Sequence, residues 1–235
     1  MAVTALLLSI MEFPDCCTVF TASIGNAVLF GNNEDVGDRN STVWFVPATE
    51  SAHGWVYFGF LDYPSEDSDF PMGGMNDHGL CFDITSVPES KMRPHPEKLR
   101  ARNAGILGQR VLENCATIGE AINFIERYDF SSFEEFQFLF ADRTGDSIVL
   151  CPGTDGEMKA IRKEGAYEII TNFNVLNPGL GEYPCWRYSA ALTMLNKIES
   201  EDDLTVEYFT SILKAVYTRH TTYSTIYDPV NGIIH

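Results

Sequence analysis

Residues 17–35 of the chain read CTVFTASIGNAVLFGNNED, two apolar segments joined by Gly25 and Asn26. Apolar segments on either side of such a pair predict a β-hairpin over residues 19–31. A cysteine, Cys17, stands at the head of the first strand, and Asp35 closes the turn that follows the second. A thiol in this position can become the first residue of a mature enzyme once the preceding residues are removed.

An N-terminal cysteine carries both a nucleophile and a base. The released α-amine has a pKa of about 7.7–8.0 and a free thiol one of about 8.5, so the amine can accept the thiol proton near neutral pH. This is the N-terminal-residue form of nucleophile activation, and it requires no histidine. The alternative is that Cys17 is a buried strand cysteine without chemistry.

The length and charge of the chain limit its class. A chain of 235 residues, 45% of them hydrophobic, can form one large domain, and no linker divides residues 17–235. The formal net charge of −17 argues against a nucleic acid partner, whose phosphates need Lys and Arg, and against anionic membrane surfaces. A role of the acidic residues in solubility is the simpler interpretation.

The six cysteines form no CxxC pair, and no histidine pair has metal-ligand spacing, so we expect no metal site. Cys81, Cys115 and Cys151 stand in apolar surroundings and are predicted to be buried residues. An exported structural protein with Cys16 or Cys17 bonded to Cys185 remains a separate hypothesis.

Residues 1–16 are expected to be a leader or propeptide. The apolar run AVTALLLSIM at 2–11 is shorter than the ~20 residues that span a bilayer, so no integral membrane span is predicted. It lacks a basic start and an Ala-x-Ala site. The tail of an export signal, a short propeptide and an ordinary strand all remain open, and localisation is left open between exported and cytoplasmic.

The order of elements after the hairpin indicates layered α+β architecture. Further strands are followed by two helices at 97–114 and 117–128, four strands between 136 and 171, two helices at 186–198 and 205–217, and a last hairpin from 223. Thr117 followed by Glu120 predicts a capping box at the start of the second helix.

Several motifs together resemble a known family. They are Cys17-Thr18 with FGNNED, GGMNDHGL at 73–80, FADRTGDSIVL at 140–150, ITNF at 170–173, YPCWRY at 183–188 and a closing TTYSTIYDPVNG. In this order the chain resembles the N-terminal-nucleophile (Ntn) amidases of the choloylglycine hydrolase, penicillin V acylase and isopenicillin N acyltransferase group. The resemblance implies a four-layer αββα sandwich of two stacked antiparallel sheets flanked by helices.

The same resemblance implies a hydrolase of linear, non-peptide carbon–nitrogen bonds that works through a thioester, after autocatalytic exposure of Cys17. Cys17 would be the nucleophile and Asp35 the carboxylate that holds its α-amine. Asn172 would help to form the oxyanion hole, and Arg187 would support the charge network. The substrate would be a small acyl amide, and no metal or organic cofactor is implied. The apolar residues 55–60 and Met72 suggest an apolar acyl group, although such residues also build cores.

Alternatives remain for the function and for single residues. The same site could transfer the acyl group to an amine, or the chain could be a non-catalytic relative that binds a ligand. Asp35 could be a turn aspartate, Asn172 the end of a strand and Arg187 a surface residue. The oligomeric state is left open, a homo-oligomer included.

Three departures from the family pattern stand out. The bile-salt branch has an arginine after the FG pair, where this chain has Asn32. That branch also has an oxyanion asparagine on the strand after the GMN turn, so Thr85, Ser86 or backbone N–H groups would have to replace it here. The chain ends at His235, soon after a hairpin that the family extends, so we expect a compact member or a truncated chain.

Overall fold

The computed structural model describes residues 17–37, 40–60, 70–181 and 183–235. The expected leader, residues 1–16, and the Cys16–Cys17 bond lie outside these ranges. Within them, no helix has both the length and the apolar character needed to cross a membrane.

Twelve strands and four α-helices make up the described part of the chain. The strands are β1 Thr18–Ile24, β2 Ala27–Glu34, β3 Ser41–Val46, β4 Trp55–Phe60, β5 Phe70–Asn76, β6 Cys81–Ser86, β7 Phe136–Ala141, β8 Ser147–Pro152, β9 Met158–Arg162, β10 Tyr167–Ile170, β11 Tyr223–Asp228 and β12 Ile233–Ile234. The helices are α1 Ala104–Asn114, α2 Ile118–Ile125, α3 Trp186–Leu195 and α4 Val206–Ala215. All strand pairs are antiparallel, in a five-stranded sheet ordered β10-β1-β2-β11-β12 and a seven-stranded sheet ordered β3 to β9.

Three apolar clusters separate four layers. One lies between the seven-stranded sheet and helices α1 and α2, and a second lies between the five-stranded sheet and helices α3 and α4. The third joins the facing surfaces of the two sheets, with Phe30 and Tyr227 from one sheet and Leu139 and Val149 from the other. The order helix, sheet, sheet, helix confirms the predicted αββα sandwich.

The β1–β2 hairpin shows how the sequence positions the later site. Val19 and Phe30 face the other sheet, whereas Phe20 and Leu29 face the helices, as the period of two requires. The register pairs Thr18 with Asn33, so Cys17, just before β1, comes opposite the last residue of β2. The hairpin therefore brings Cys17 to the same end of the sheet as the residues that close FGNNED.

The first helix is shorter than predicted. It begins at Ala104, because Asn103 caps it by accepting the N–H of Ile106 at 2.8 Å. Leu99, expected on the apolar helix face, instead forms a parallel β-bridge with Tyr128 and is 52% exposed. The predicted N-cap of α2 is confirmed, since Thr117 accepts the N–H of Glu120 at 3.2 Å. The reciprocal half of the capping box differs from the prediction, because the Glu120 carboxylate accepts the N–H of Ala116, at 2.7 Å, in place of that of Thr117.

Gly108 of α1 provides a test of the packing between helix and sheet. A Cβ atom there would meet the Phe82 ring at 2.1 Å, so we expect Gly108→Ala to destabilise the fold by about 1–3 kcal/mol through overpacking. Gly119 of α2 is the matched control, because its nearest contact would be Thr117 Oγ1 at 4.0 Å. Gly119→Ala should stabilise by up to about 1 kcal/mol through helix propensity. Urea unfolding of both variants measures the difference, and equal effects would contradict this packing.

Candidate active site

Cys17 is buried between the two sheets, with 2% of its surface exposed. Its Sγ donates to Oε1 of Glu34, the last residue of β2, at 3.0 Å. Burial and then the negative charge of Glu34 raise the pKa of the Cys17 thiol well above its usual range, whereas the hydrogen bond from the Asp35 backbone N–H acts in the opposite direction. The thiol is therefore neutral in this arrangement, and a base must remove its proton before it can attack a carbonyl.

Arg187, in the first turn of α3, connects the residues predicted from the sequence. It is buried, and its Nη1 donates to the Cys17 carbonyl oxygen and to Thr18 Oγ1. Its Nη2 donates to Asn172 Oδ1 at 3.0 Å, and its Nη1 lies 4.0 Å from Asp35 Oδ2. The guanidinium thus brings Cys17, Asn172 and Asp35 into one cluster, which excludes the interpretation of Arg187 as a surface residue.

Asn172 lies two residues after the end of β10, and both the oxygen and the nitrogen of its side-chain amide are hydrogen-bonded. While Oδ1 accepts from Arg187, Nδ2 donates to the Ser86 carbonyl oxygen at 3.0 Å and to Ser86 Oγ at 3.1 Å. Thr85, the other expected substitute for the missing asparagine, instead donates from its hydroxyl to the Thr171 carbonyl. Ser86 is therefore the residue beside Asn172, and its hydroxyl is the contact that a bound carbonyl oxygen could replace.

Asp35 lies on the other side of Arg187 and is buried. Its Oδ1 accepts from the Thr221 hydroxyl, in the segment that follows α4. Burial raises the pKa of the Asp35 carboxyl to about 6, against the lowering effects of Thr221, the Arg187 charge and Thr218. The carboxyl is therefore mostly ionised at pH 7 and is available to hold a cation.

Glu34 is the site residue that the sequence analysis missed. It is fully buried, and it lies on the same face of β2 as Phe30 and Asn32. Neither polar atom of the Asn32 side chain has a hydrogen-bond partner among the described residues. The sequence does carry a signal for this face: Asn32 and Glu34 follow Phe30 at every second position of β2, where apolar residues would be expected. Burying polar side chains costs free energy unless they are paired, so two of them in such a row indicate a functional site.

Another carboxyl group and two phenol groups lie near the side chain of Glu34. Asp83 of β6 is fully buried, and burial and then the charge of Glu34 raise its carboxyl pKa well above the usual range. The phenol groups of Tyr223 and Tyr227 are buried in the same layer, and their pKa values are raised by burial and by neighbouring charges that include Glu34. Both phenols are therefore neutral at pH 7, and the raised pKa of Asp83 favours its protonated form. Among the described contacts, Arg187 is the cation that lies close to Cys17.

The states of the cysteines bear on the hypothesis of a structural protein with a disulfide bond to Cys185. Cys17 and Cys185 are both reduced, and Cys185 Sγ accepts the N–H of Tyr188 as the N-cap of α3. Cys81, Cys115 and Cys151 are buried, as predicted. The proposed Cys17–Cys185 disulfide is therefore wrong, while a bond from Cys16 lies outside the described residues.

One group of possible metal ligands comes together in the fold, although no histidine pair has metal-ligand spacing in the sequence. His53, Asp77 and His78 have ligand atoms within 4.8 Å of one another. They meet at the turn between β5 and β6, at the opposite end of β6 from Ser86. Asp77 Oδ2 already accepts the N–H of Gly54 at 3.1 Å, so the turn itself accounts for the position of this carboxylate.

Two stacked antiparallel sheets covered by helices on both outer faces define the sandwich of the Ntn hydrolases. The chain belongs to the acyl-coenzyme A:6-aminopenicillanic acid acyl-transferase family, whose model matches residues 24–227. No curated protein sequence matches the chain significantly.

Solved structures show the same fold. Penicillin V acylase from Agrobacterium tumefaciens superposes with a TM-score of 0.71 at 17% identity, over 93% of this chain and 81% of the acylase chain. Two variants of conjugated bile acid hydrolase from Clostridium perfringens give TM-scores of 0.66 and 0.67 at 14% and 15% identity. They match over 93% and 92% of this chain and, in both cases, over 88% of the hydrolase chain.

Proposed function

We propose that this protein is a cysteine-nucleophile amidohydrolase that cleaves a linear, non-peptide acyl-amide bond through a thioester, after self-cleavage before Cys17. The observation that carries the proposal is the set of hydrogen bonds from Arg187 to the Cys17 carbonyl and to Asn172, with Asp35 4.0 Å away. Residues from three distant parts of the chain thereby form one network around the backbone of Cys17, and a purely structural cysteine needs no such arrangement.

Each residue has a role in turnover. The α-amine of Cys17 accepts the thiol proton, and the thiolate attacks the substrate carbonyl carbon. The amide of Asn172 stabilises the oxyanion, with Arg187 holding that amide in position. The protonated α-amine, held by the Asp35 carboxylate, returns the proton to the leaving amine. Water then hydrolyses the thioester, with the α-amine again accepting a proton.

The acyl group would lie in the cleft between β3–β4 and β11–β12, whose volume is about 620 Å³. Tyr223 lines this cleft and pairs with Glu34 in the five-stranded sheet, which is the link between the cleft and the site. The lining is largely apolar and includes Val43, Phe45, Val56 and Phe58. Trp55, Tyr57 and Met72, in contrast, belong to the core beneath α1. An apolar acyl group fits this lining.

Transfer of the acyl group to an amine is the second candidate, and the description of the family as acyl-transferases favours it. Hydrolysis and transfer share the thioester and differ in whether water or an amine attacks it. Measuring acid and new amide together, with an added acceptor amine, gives the ratio of the two products.

Intact-mass analysis of the wild type beside Cys17→Ala tests the proposal. We expect a wild-type chain that starts at Cys17 and a mutant that keeps its leader, because the mutant lacks the sulfur that attacks the preceding carbonyl. Only the wild type should hydrolyse acyl-amide probes. Leaders of equal mass on both proteins would contradict self-cleavage, and equal hydrolysis by both would contradict the nucleophile assignment and favour a ligand-binding relative.

A further inference from the structure

The first cut of the chain raises a problem that turnover does not have. Before cleavage, the nitrogen of Cys17 is part of a peptide bond and has no basic lone pair. The α-amine that would activate the thiol during turnover is therefore a product of the first cut and cannot assist it. Because burial keeps the thiol neutral, another group must accept its proton.

The structure offers one side chain for this step. Glu34 Oε1 lies 3.0 Å from Cys17 Sγ and accepts its hydrogen, and Glu34 is the only side chain among the described residues with a hydrogen bond to that sulfur. The contact follows from the hairpin register, which places residue 34 opposite residue 17. The distance lies within the reach that a general base needs.

The neighbouring acids are less suited to the step. Asp35 accepts from Thr221 through one oxygen and faces Arg187 with the other, and it contacts the sulfur through its backbone N–H. Asp83 has no hydrogen bond to the sulfur among the described contacts: its Oδ1 accepts the N–H of Ile84 at 2.9 Å, and burial with the charge of Glu34 raises its pKa. Glu34 therefore combines contact with the sulfur and an orientation toward the thiol hydrogen.

We propose that Glu34 is the general base of the self-cleavage step, an inference that rests on the self-processing in the proposed function. The Glu34 carboxylate takes the thiol proton, and the thiolate attacks the carbonyl carbon of residue 16. The C–N bond to Cys17 then breaks as the protonated Glu34 gives the proton to the departing nitrogen. The products are a thioester on Cys17 and a neutral α-amine, and one water molecule hydrolyses the thioester to release the leader as a carboxylic acid.

This assignment separates two bases in time. Glu34 acts while Cys17 is internal, and the α-amine takes over once it exists. Removing the Glu34 carboxylate should therefore slow maturation strongly but leave turnover by the mature chain largely intact. A role in folding alone would affect both steps or neither.

The experiment follows intact mass over time after cell-free synthesis of the full chain, for the wild type, Glu34→Gln and Asp83→Asn. General bases typically contribute about 10²–10⁴-fold to a rate, so we expect Glu34→Gln to lose its leader at least about 100-fold more slowly than the wild type. Asp83→Asn is the matched control, because Asp83 is the neighbouring buried carboxyl on β6 and has no hydrogen bond to the sulfur among the described contacts. It should mature within a few-fold of the wild-type rate.

A second form of each variant keeps the test independent of maturation. Residues 13–16 are replaced by a protease recognition sequence that allows external cutting directly before Cys17. Externally cut Glu34→Gln should hydrolyse an acyl-amide probe within about ten-fold of the equally cut wild type, and its thermal unfolding should match.

The outcomes distinguish this inference from the proposed function. Maturation of Glu34→Gln at the wild-type rate overturns the role of Glu34 and leaves the proposed function standing. A wild-type chain that never loses its leader overturns self-processing, and the role of Glu34 with it. A folded, externally cut Glu34→Gln that is inactive overturns the restriction of Glu34 to the first cut.

Discussion

Arg187→Met should unfold at a much lower denaturant concentration than the wild type and should lack activity. The guanidinium is buried and donates to the Cys17 carbonyl, to Thr18 Oγ1 and to Asn172, so its loss leaves three acceptors without that donor. It also leaves the buried Asp35 carboxylate without its nearby cation. Removing one partner of a buried ion pair typically costs about 3–5 kcal/mol.

The stability loss should depend on pH in a defined direction. The pKa of Asp35 is about 6 in the folded protein, above its value of about 3.9 in an unfolded chain. Below pH 6 this carboxyl is protonated with or without Arg187, so the difference between the two proteins should shrink. Above pH 6 the wild type carries a carboxylate that Arg187 stabilises, whereas the mutant must either retain the proton or bury the charge. The largest difference in the free energy of unfolding between the wild type and Arg187→Met is therefore expected near pH 8.

Guanidinium chloride unfolding at pH 5 and pH 8 measures this effect. Arg187→Lys keeps the charge but cannot bridge Cys17 and Asn172 with a planar fork, so it should lose less stability while still losing most activity. Arg93→Met is the control. Nη1 of the exposed Arg93 lies 3.8 Å from Oε1 of Glu157, and an exposed ion pair of this kind contributes at most about 1 kcal/mol to the free energy of unfolding. An Arg187→Met protein as stable as the wild type at pH 8 would contradict the buried network.

The sequence predicted the local parts of the fold well. The hairpin at 18–34 follows from two apolar segments around Gly25, and the start of α2 follows from the Thr117 and Glu120 pair. In both cases the deciding contacts join residues close together in the chain. The start of α1 was missed because Leu99 fits helical spacing but bonds to the distant Tyr128 segment.

The candidate site was predictable only in part. Motif resemblance selected Cys17, Asp35, Asn172 and Arg187, yet nothing in the sequence fixes the contact between Cys17 and Arg187, which are separated by 170 residues. That contact depends on how α3 packs against the sheet. Glu34 was missed although it immediately precedes Asp35, because the motif was interpreted as a turn, whereas β2 continues through Glu34 and directs this side chain inward.

Asn172→Ala is the second large effect that we expect. If Asn172 donates to the oxyanion, its loss should lower kcat by about 10²–10³-fold, or about 2.7–4 kcal/mol of barrier, with a smaller change in KM. The reason is that the donor matters most when negative charge develops on the carbonyl oxygen. The measurement uses externally cut protein, so that slow maturation does not contribute to the loss.

Asn174→Ala provides the matched control in the same segment. Asn174 is fully buried, donates to the Pro152 carbonyl at 2.7 Å and accepts the N–H of Leu176 at 2.8 Å. Its loss should lower the free energy of unfolding by about 1–3 kcal/mol while leaving kcat within a few-fold of the wild type.

Asn172 also donates to Ser86 and accepts from Arg187, so Asn172→Ala should lower the free energy of unfolding as well. The two variants separate a chemical role from a structural one, because only loss of an oxyanion donor lowers kcat out of proportion to stability. A kcat that falls equally in both variants would argue that Asn172 only supports the segment after β10.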